Sequence, residues 1–173
     1  VYGTIPNGSG LSSSASLELL VSQILKELHG YDISMIDMVK LSQKAENVYV
    51  GVNCGIMDQF AIGMGKKDYA IKLNTNDLSY EYAKANLGDN SILIMNTNKK
   101  RELADSKYNE RRQECDAALE LLKTVVDINF LCDLTVAEFD RVSNVINKDV
   151  LYRRAKHAVT ENERVKLAIE VLA

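Results

Sequence analysis

Asp58 is the side chain in this sequence best placed to do chemistry. It lies in Cys54-Gly55-Ile56-Met57-Asp58-Gln59-Phe60, among apolar neighbours that would partly desolvate it. A carboxylate so placed could take a proton from a hydroxyl, or orient that hydroxyl, while a phosphoryl group is transferred to it. An aspartate capping a short helix from Gln59 to Ile62 accounts for the same residue and, on one sequence, is the commoner case. Upstream runs Pro6-Asn7-Gly8-Ser9-Gly10-Leu11-Ser12-Ser13-Ser14-Ala15-Ser16. A glycine-rich turn opening into a helix presents free backbone N–H groups and the positive end of the helix dipole, both of which bind phosphate. Gly8 and Gly10 allow close backbone approach, and the hydroxyls of Ser12, Ser13 and Ser14 can donate to phosphate or ligate Mg²⁺. No Gly-Lys-Ser/Thr follows, so this is not a Walker A loop. A flexible turn with a serine N-cap is the bland alternative.

Glu46 is the third candidate. Near the C-terminal end of its helix the dipole disfavours an anion by a few tenths of a kcal/mol, about 0.3 or more, so an acid there can mark a nearby cation. Mg²⁺ takes hard oxygen ligands and often only one or two from protein, a habit that Ser14 plus Glu46 would fit. A solvated glutamate is the alternative. Tyr108 could flank a sugar ring, although helical tyrosines more often pack half-buried. Arg111-Arg112 and Arg153-Arg154 read as solvated, or as paired with Asp149, Glu110 and Glu114 across i,i+4. His29 and His157 each lack a second ligand nearby. Loop, metal ligand and carboxylate together point to ATP-dependent phosphorylation of a small alcohol.

The elements that must position these groups are partly legible. Val1 to Ile5 reads as the end of a strand and Pro6 to Gly10 as a turn. Leu17, Leu20, Val21, Ile24, Leu25 and Leu28 recur at helical steps, and Gly30 ends the run, which predicts a helix over 13–29. Ser34 caps a second helix that continues through Glu46 to Gly51. Residues 69–73 and 78–82 flank Asn74-Thr75-Asn76-Asp77 as a hairpin. Ser91 to Asn96 reads as a buried strand. Asp105 or Ser106 opens a helix through Val126, Thr135 caps one over 136–144, and a last helix spans 149–172. Strands come early and helices late, so the class is α+β.

Composition narrows the function. The net charge of −3 provides no basic field for nucleic acid or membrane, and Lys99-Lys100-Arg101 is too short a cluster to change that. The three cysteines, Cys54, Cys115 and Cys132, stand far apart without zinc spacing, as expected of reduced thiols in a cytoplasmic protein. No leader or long apolar run is visible, but the chain starts at Val1 without an initiator methionine.

Pro6 to Ser16 resembles the phosphate loop of the GHMP small-molecule kinases. Gly-Leu-Ser-Ser-Ser-Ala-Ser-Leu-Glu (10–18), Ala45-Glu46-Asn47 with Gly55-Ile56-Met57-Asp58-Gln59-Phe60, Asn96-Thr97-Asn98, residues 106–112 and Arg153-Arg154-Ala155-Lys156-His157 narrow it to the galactokinase branch. The resemblance runs over nearly the whole chain. It implies a partial GHMP-kinase fold: a two-layer α/β sandwich segment of the N-terminal domain over 1–97, then a mainly helical start of the C-terminal domain over 98–173. It implies transfer of the γ-phosphoryl group of MgATP to the anomeric hydroxyl of α-D-galactose. Gly8, Ser9, Gly10, Leu11, Ser12, Ser13 and Ser14 would wrap the ATP phosphates. Ser14 and Glu46 would ligate Mg²⁺. Asp58 would be the catalytic carboxylate, and Asp58, Gly55 and Tyr108 would contact the sugar.

The branch's N-terminal Gly-Glu-His-Thr-Asp-type stretch, its catalytic arginine and its late glycine-rich motif have no counterpart in these 173 residues. The resemblance therefore implies an internal segment, inactive alone, that self-associates through uncovered surface. A non-catalytic galactose and ATP sensor of the same fold is the alternative, as is a sibling kinase for N-acetylgalactosamine or arabinose. The intact Ser13-Ser14-Ala15-Ser16 favours the enzyme over the sensor.

Overall fold

The computed structural model describes residues 2–5, 10–95 and 106–172. Within them the chain forms six α-helices and one two-stranded sheet, in two compact units, Val1–Asp105 and Ser106–Ala173. Gly8, Ser9, the turn at Pro6, the polar stretch Asn96-Thr97-Asn98 and Asp105 lie outside the described residues.

The first unit begins with α1, Ser13–His29, closed by Gly30 in the left-handed conformation (φ 65°), where its N–H bonds the Lys26 carbonyl. Helix α2, Met35–Ala45, starts at Ser34, whose hydroxyl accepts from the Asp37 N–H at 3.1 Å. Such a cap is worth about 1 kcal/mol. The chain then widens into one π-helical turn, Glu46–Val50, and stops at Gly51 (φ 79°). Helix α3, Met57–Met64, follows a short loop. Leu19, Met38, Val39, Ile56 and Phe60 form the core where α1, α2 and α3 meet. Gly63 makes the α2–α3 approach possible, because a Cβ there would stand 2.7 Å from Val39 Cγ2.

The hairpin pairs β1, Tyr69–Leu73, with β2, Tyr80–Lys84, antiparallel, Ile71 opposite Tyr82. The second strand begins two residues later than the sequence predicts. Leu78 takes φ 61° and the Asn74 N–H bonds the Ser79 carbonyl at 2.8 Å, which makes a longer loop than a tight turn at 74–77.

Two expected strands are not formed. Tyr2 to Thr4 have no regular structure and Tyr2 is 93% exposed. Ser91 to Met95 are likewise irregular, with Ile92, Leu93, Ile94 and Met95 all exposed. An apolar run becomes a strand only when a ladder partner takes its N–H and C=O groups, and no described segment pairs with either.

The second unit packs α4, Ser106–Leu122, α5, Val136–Val142, and α6, Asp149–Leu172, around Ala118, Leu122, Phe139, Ala155 and Val159. Helix α4 ends four residues before Val126: the β-branched run Thr124-Val125-Val126 favours leaving the helix, and Thr124 and Val125 bond three residues back instead. Helix α5 gives way to a 3₁₀ turn at Ser143–Val145. Thr135 and Glu138 cap α5 reciprocally. Arg154 of α6 pairs with Glu114 of α4 at 2.6 Å, and Arg153 with Asp149 at 2.9 Å.

Candidate active site

The described end of the loop before α1, from Gly10, enters the helix through left-handed backbone. Gly10 has φ 76° and Ser12, a non-glycine residue, has φ 52°. A left-handed serine costs roughly 1–2 kcal/mol, and it turns the chain directly into α1. Among the described residues no side chain caps this helix start, which leaves its first N–H groups open to an acceptor with the dipole behind them. The expected serine N-cap bond is therefore absent, and Leu11, Ser12, Ser13 and Ser14 sit half-buried around the helix entrance.

Ser14 and Glu18 stand one turn apart on α1, on one face. Glu18 comes near enough to Glu46 for the two carboxyls to interact. Glu46 is 5% exposed; the solvated-glutamate reading does not hold. Burial, then the hydrogen bond and charge of Glu46, push the Glu18 carboxyl up to about 7. Among the described residues no ion pair involves either carboxylate. The neighbouring Glu46 opposes ionisation of Glu18, and a cation there would relieve that repulsion. Ser14, Glu18 and Glu46 thus suit a hard divalent cation that takes few protein ligands. No group of three or more His, Cys, Asp or Glu forms a cage among the described residues.

Asp58 is exposed, not desolvated. It is the second residue of α3, and Ile56, not Asp58, occupies the N-cap position. One residue on, Gln59 points the other way, into the interior, and is 2% exposed. The Gln59 amide donates from Nε2 to Glu18 Oε2 at 3.4 Å, while its Oε1 is buried without a partner. Such an orphaned acceptor costs about 1–3 kcal/mol.

The loop that feeds α3 is clasped to the second helix. Gln43 Nε2 donates to the Cys54 carbonyl at 3.1 Å, and Asn47 Oδ1 accepts from the Cys54 N–H at 3.1 Å and from its thiol at 3.3 Å. Burial, then the Glu46 charge, raise the Cys54 thiol above its ordinary range, so it acts as a donor and not as a thiolate. Gly55 follows, and a Cβ on it would meet nothing within 4 Å. Tyr108 lies in the first turn of α4, in the second unit, 49% exposed.

The structure therefore brings Glu18, Glu46 and Gln59 together, with Ser14 one turn before Glu18 on α1 and Asp58 next to Gln59 on α3. Glu18, Gln59, Gln43 and Asn47 escape a reading by residue type. Their one advance signal is an acid and an amide at inward positions of otherwise apolar helix faces.

Residues 1–66 match the GHMP kinases N terminal domain. A galactokinase of Lactiplantibacillus plantarum is 58% identical over 173 residues, which is 100% of this chain and 45% of the relative. One of Clostridium acetobutylicum is 58% identical over 168 residues, 97% of this chain and 43% of the relative. The crystal structure of Lactococcus lactis galactokinase complexed with galactose matches with a TM-score of 0.94 at 49% identity, over 98% of this chain and 44% of that one. The chain thus spans a little under half the length of the relatives it matches. Over residues 1–66 it matches the GHMP kinase N-terminal domain, and along its whole length it is similar to part of the galactokinase of Lactiplantibacillus plantarum.

Proposed function

We propose that the protein containing this chain is a galactokinase, which transfers the γ-phosphoryl group of MgATP to the anomeric hydroxyl of α-D-galactose. The observation that carries the reading is the uncapped, left-handed entry to α1 on the helix whose half-buried Glu18 interacts with the buried Glu46. Gly8 to Ser14 bind the nucleotide phosphates through backbone N–H groups and hydroxyls. Ser14 and Glu46 hold Mg²⁺, which when bound neutralises charge on the transferring phosphoryl group. Asp58 accepts or orients the proton of the sugar hydroxyl, and the bare Cα of Gly55 leaves room for the sugar beside it. Tyr108 contributes a sugar contact from the second domain, which we assign to residues 98–173, with 1–97 in the first. Among the described residues no helix is long and apolar enough to cross a membrane, and we assign the protein to the cytoplasm.

The test is ADP release in the full-length protein, with a panel of galactose, N-acetylgalactosamine and arabinose. Asp58→Ala should lower turnover by a factor of about 10² to 10⁴ while nucleotide binding persists. Near-normal turnover in that variant, or no sugar-dependent ADP release in the unsubstituted protein, refutes the assignment.

A further inference from the structure

We propose that Gln43 and Asn47 are positioning residues for the phosphoryl transfer: by gripping the peptide groups on both sides of Cys54 they set where Gly55 and Asp58 stand. This rests on the reading of Gly55 as a sugar contact and of Asp58 as the catalytic carboxylate.

Residues 51–55, between the π-helical turn and α3, have no regular secondary structure. Gln43 of α2 donates from Nε2 to the Cys54 carbonyl at 3.1 Å. Asn47 of the π-helical turn accepts at Oδ1 from the Cys54 N–H at 3.1 Å. The two bonds hold the peptides before and after Cys54, and the second of these leads into Gly55. Satisfying the backbone does not account for Asn47, because the Cys54 N–H already has the Val52 carbonyl at 2.7 Å. The second acceptor adds location. The start of the segment is tied to the same end of α2, where the Glu46 carbonyl accepts from the Gly51 N–H at 3.0 Å and the Val52 N–H at 3.4 Å. Beyond it, Ile56 and Phe60 are buried in the core. Apolar burial is non-directional, so it fixes the depth of the entrance to α3 and leaves its orientation to hydrogen bonds, which prefer a direction. Gly55 and Asp58 are exposed on either side of that buried Ile56, where orientation decides what they meet.

The experiment uses the full-length protein and reads kcat, galactose KM and the pH profile of kcat, at a temperature where thermal unfolding shows each variant folded. Gln43→Met keeps length and removes the donor. Asn47→Leu keeps shape and removes the acceptor. Each should lower kcat by a factor of about 10 to 10², the loss that a displacement near 1 Å produces. The pH at which kcat is half-maximal should stay in place, because the acidity of Asp58 is untouched. The double variant should lose no more than the worse single one, since either loss alone frees the Cys54 peptides and residues acting as a unit are not additive. Gln43→Glu, which also removes the donor and keeps a polar side chain, replaces Gln43→Met if that variant does not fold. Unchanged kcat in either single variant overturns the proposal. So do losses that multiply in the double variant, which mark two independent structural effects, or a displaced pH profile. If the unsubstituted protein releases no ADP with galactose, the galactokinase reading falls, and this inference with it; normal turnover there with normal turnover in the variants sinks this inference alone.

Discussion

Glu18→Gln is the sharpest probe of the carboxylate pair. In the native protein Glu18 holds its proton up to about pH 7, against an ordinary 4.5, because burial and the neighbouring Glu46 oppose its ionisation. Between those values the folded form keeps a proton that the unfolded form has lost. Unfolding then releases a proton, and stability falls as pH rises through that window. The full displacement corresponds to about 3 kcal/mol. Glu18 is only half-buried, so solvent screening reduces the effect to about 1–2 kcal/mol. The amide of the variant donates permanently to Glu46 and carries no charge. Glu18→Gln should therefore be more stable than the unsubstituted chain by about 1–2 kcal/mol near pH 8 and equal to it near pH 4. Urea unfolding across this range in EDTA, followed by circular dichroism, measures the difference. Adding Mg²⁺ should recover stability in the unsubstituted chain near pH 8. A variant that is no more stable near pH 8, with an unaltered pH slope, would refute the repulsive pair.

Gly63→Ala should lower stability by about 1–3 kcal/mol, since its Cβ would collide with Val39 Cγ2 at 2.7 Å; Gly63→Ala with Val39→Ala should regain part of the loss in the same urea titration. Gly55→Ala should leave unfolding almost unchanged, as nothing lies within 4 Å of the added methyl, but raise the sugar KM of the full-length protein if that space is the sugar's. The 173-residue chain exposes Leu17, Leu20, Val21, Ile24, Leu25 and Leu28 along α1, a continuous apolar stripe of the kind that drives association. Its sedimentation coefficient should rise with concentration, and a monodisperse monomer at all concentrations would contradict that reading.

Local signals located most of the helices, though not the ends of α4 and α5. The 3.6-residue period of leucines and valines, with Gly30 able to take φ 65°, sets both ends of α1, and Ser34 marks the start of α2 by a side-chain bond three residues long. Signals that need a distant partner were misread. Ile92 to Met95 look like a strand, yet a strand exists only in its ladder, and the described chain offers none. Glu46 looks like a surface acid until the π-helical turn folds it inward. The Glu18–Gln59 bond spans 41 residues, and neither residue type announces it. The glycine-serine loop stood out because its chemistry is written in consecutive residues; the carboxylate pair did not, because it exists only once α1 and the end of α2 meet.

That difference bears on how Asp58 would act in the proposed reaction. A general base tuned for strong proton abstraction would be expected in a desolvated setting, and Asp58 is exposed at the start of α3. Phosphoryl transfer passes through a loose transition state in which the nucleophile needs little deprotonation early on, so alignment outweighs basicity. The first unit is built for alignment. Helix α3 is tied at its entrance by Gln43 and Asn47 through Cys54, at its first turn by Gln59 through Glu18, and along its length by Gly63 against Val39. Each tie leads to an element that carries the phosphate loop or Glu46, or that leads directly into one. Loosening a tie should therefore cost turnover more than it changes the acidity of Asp58, and variants of Asn47 or Gln59 should lower kcat without moving the pH at which it is half-maximal.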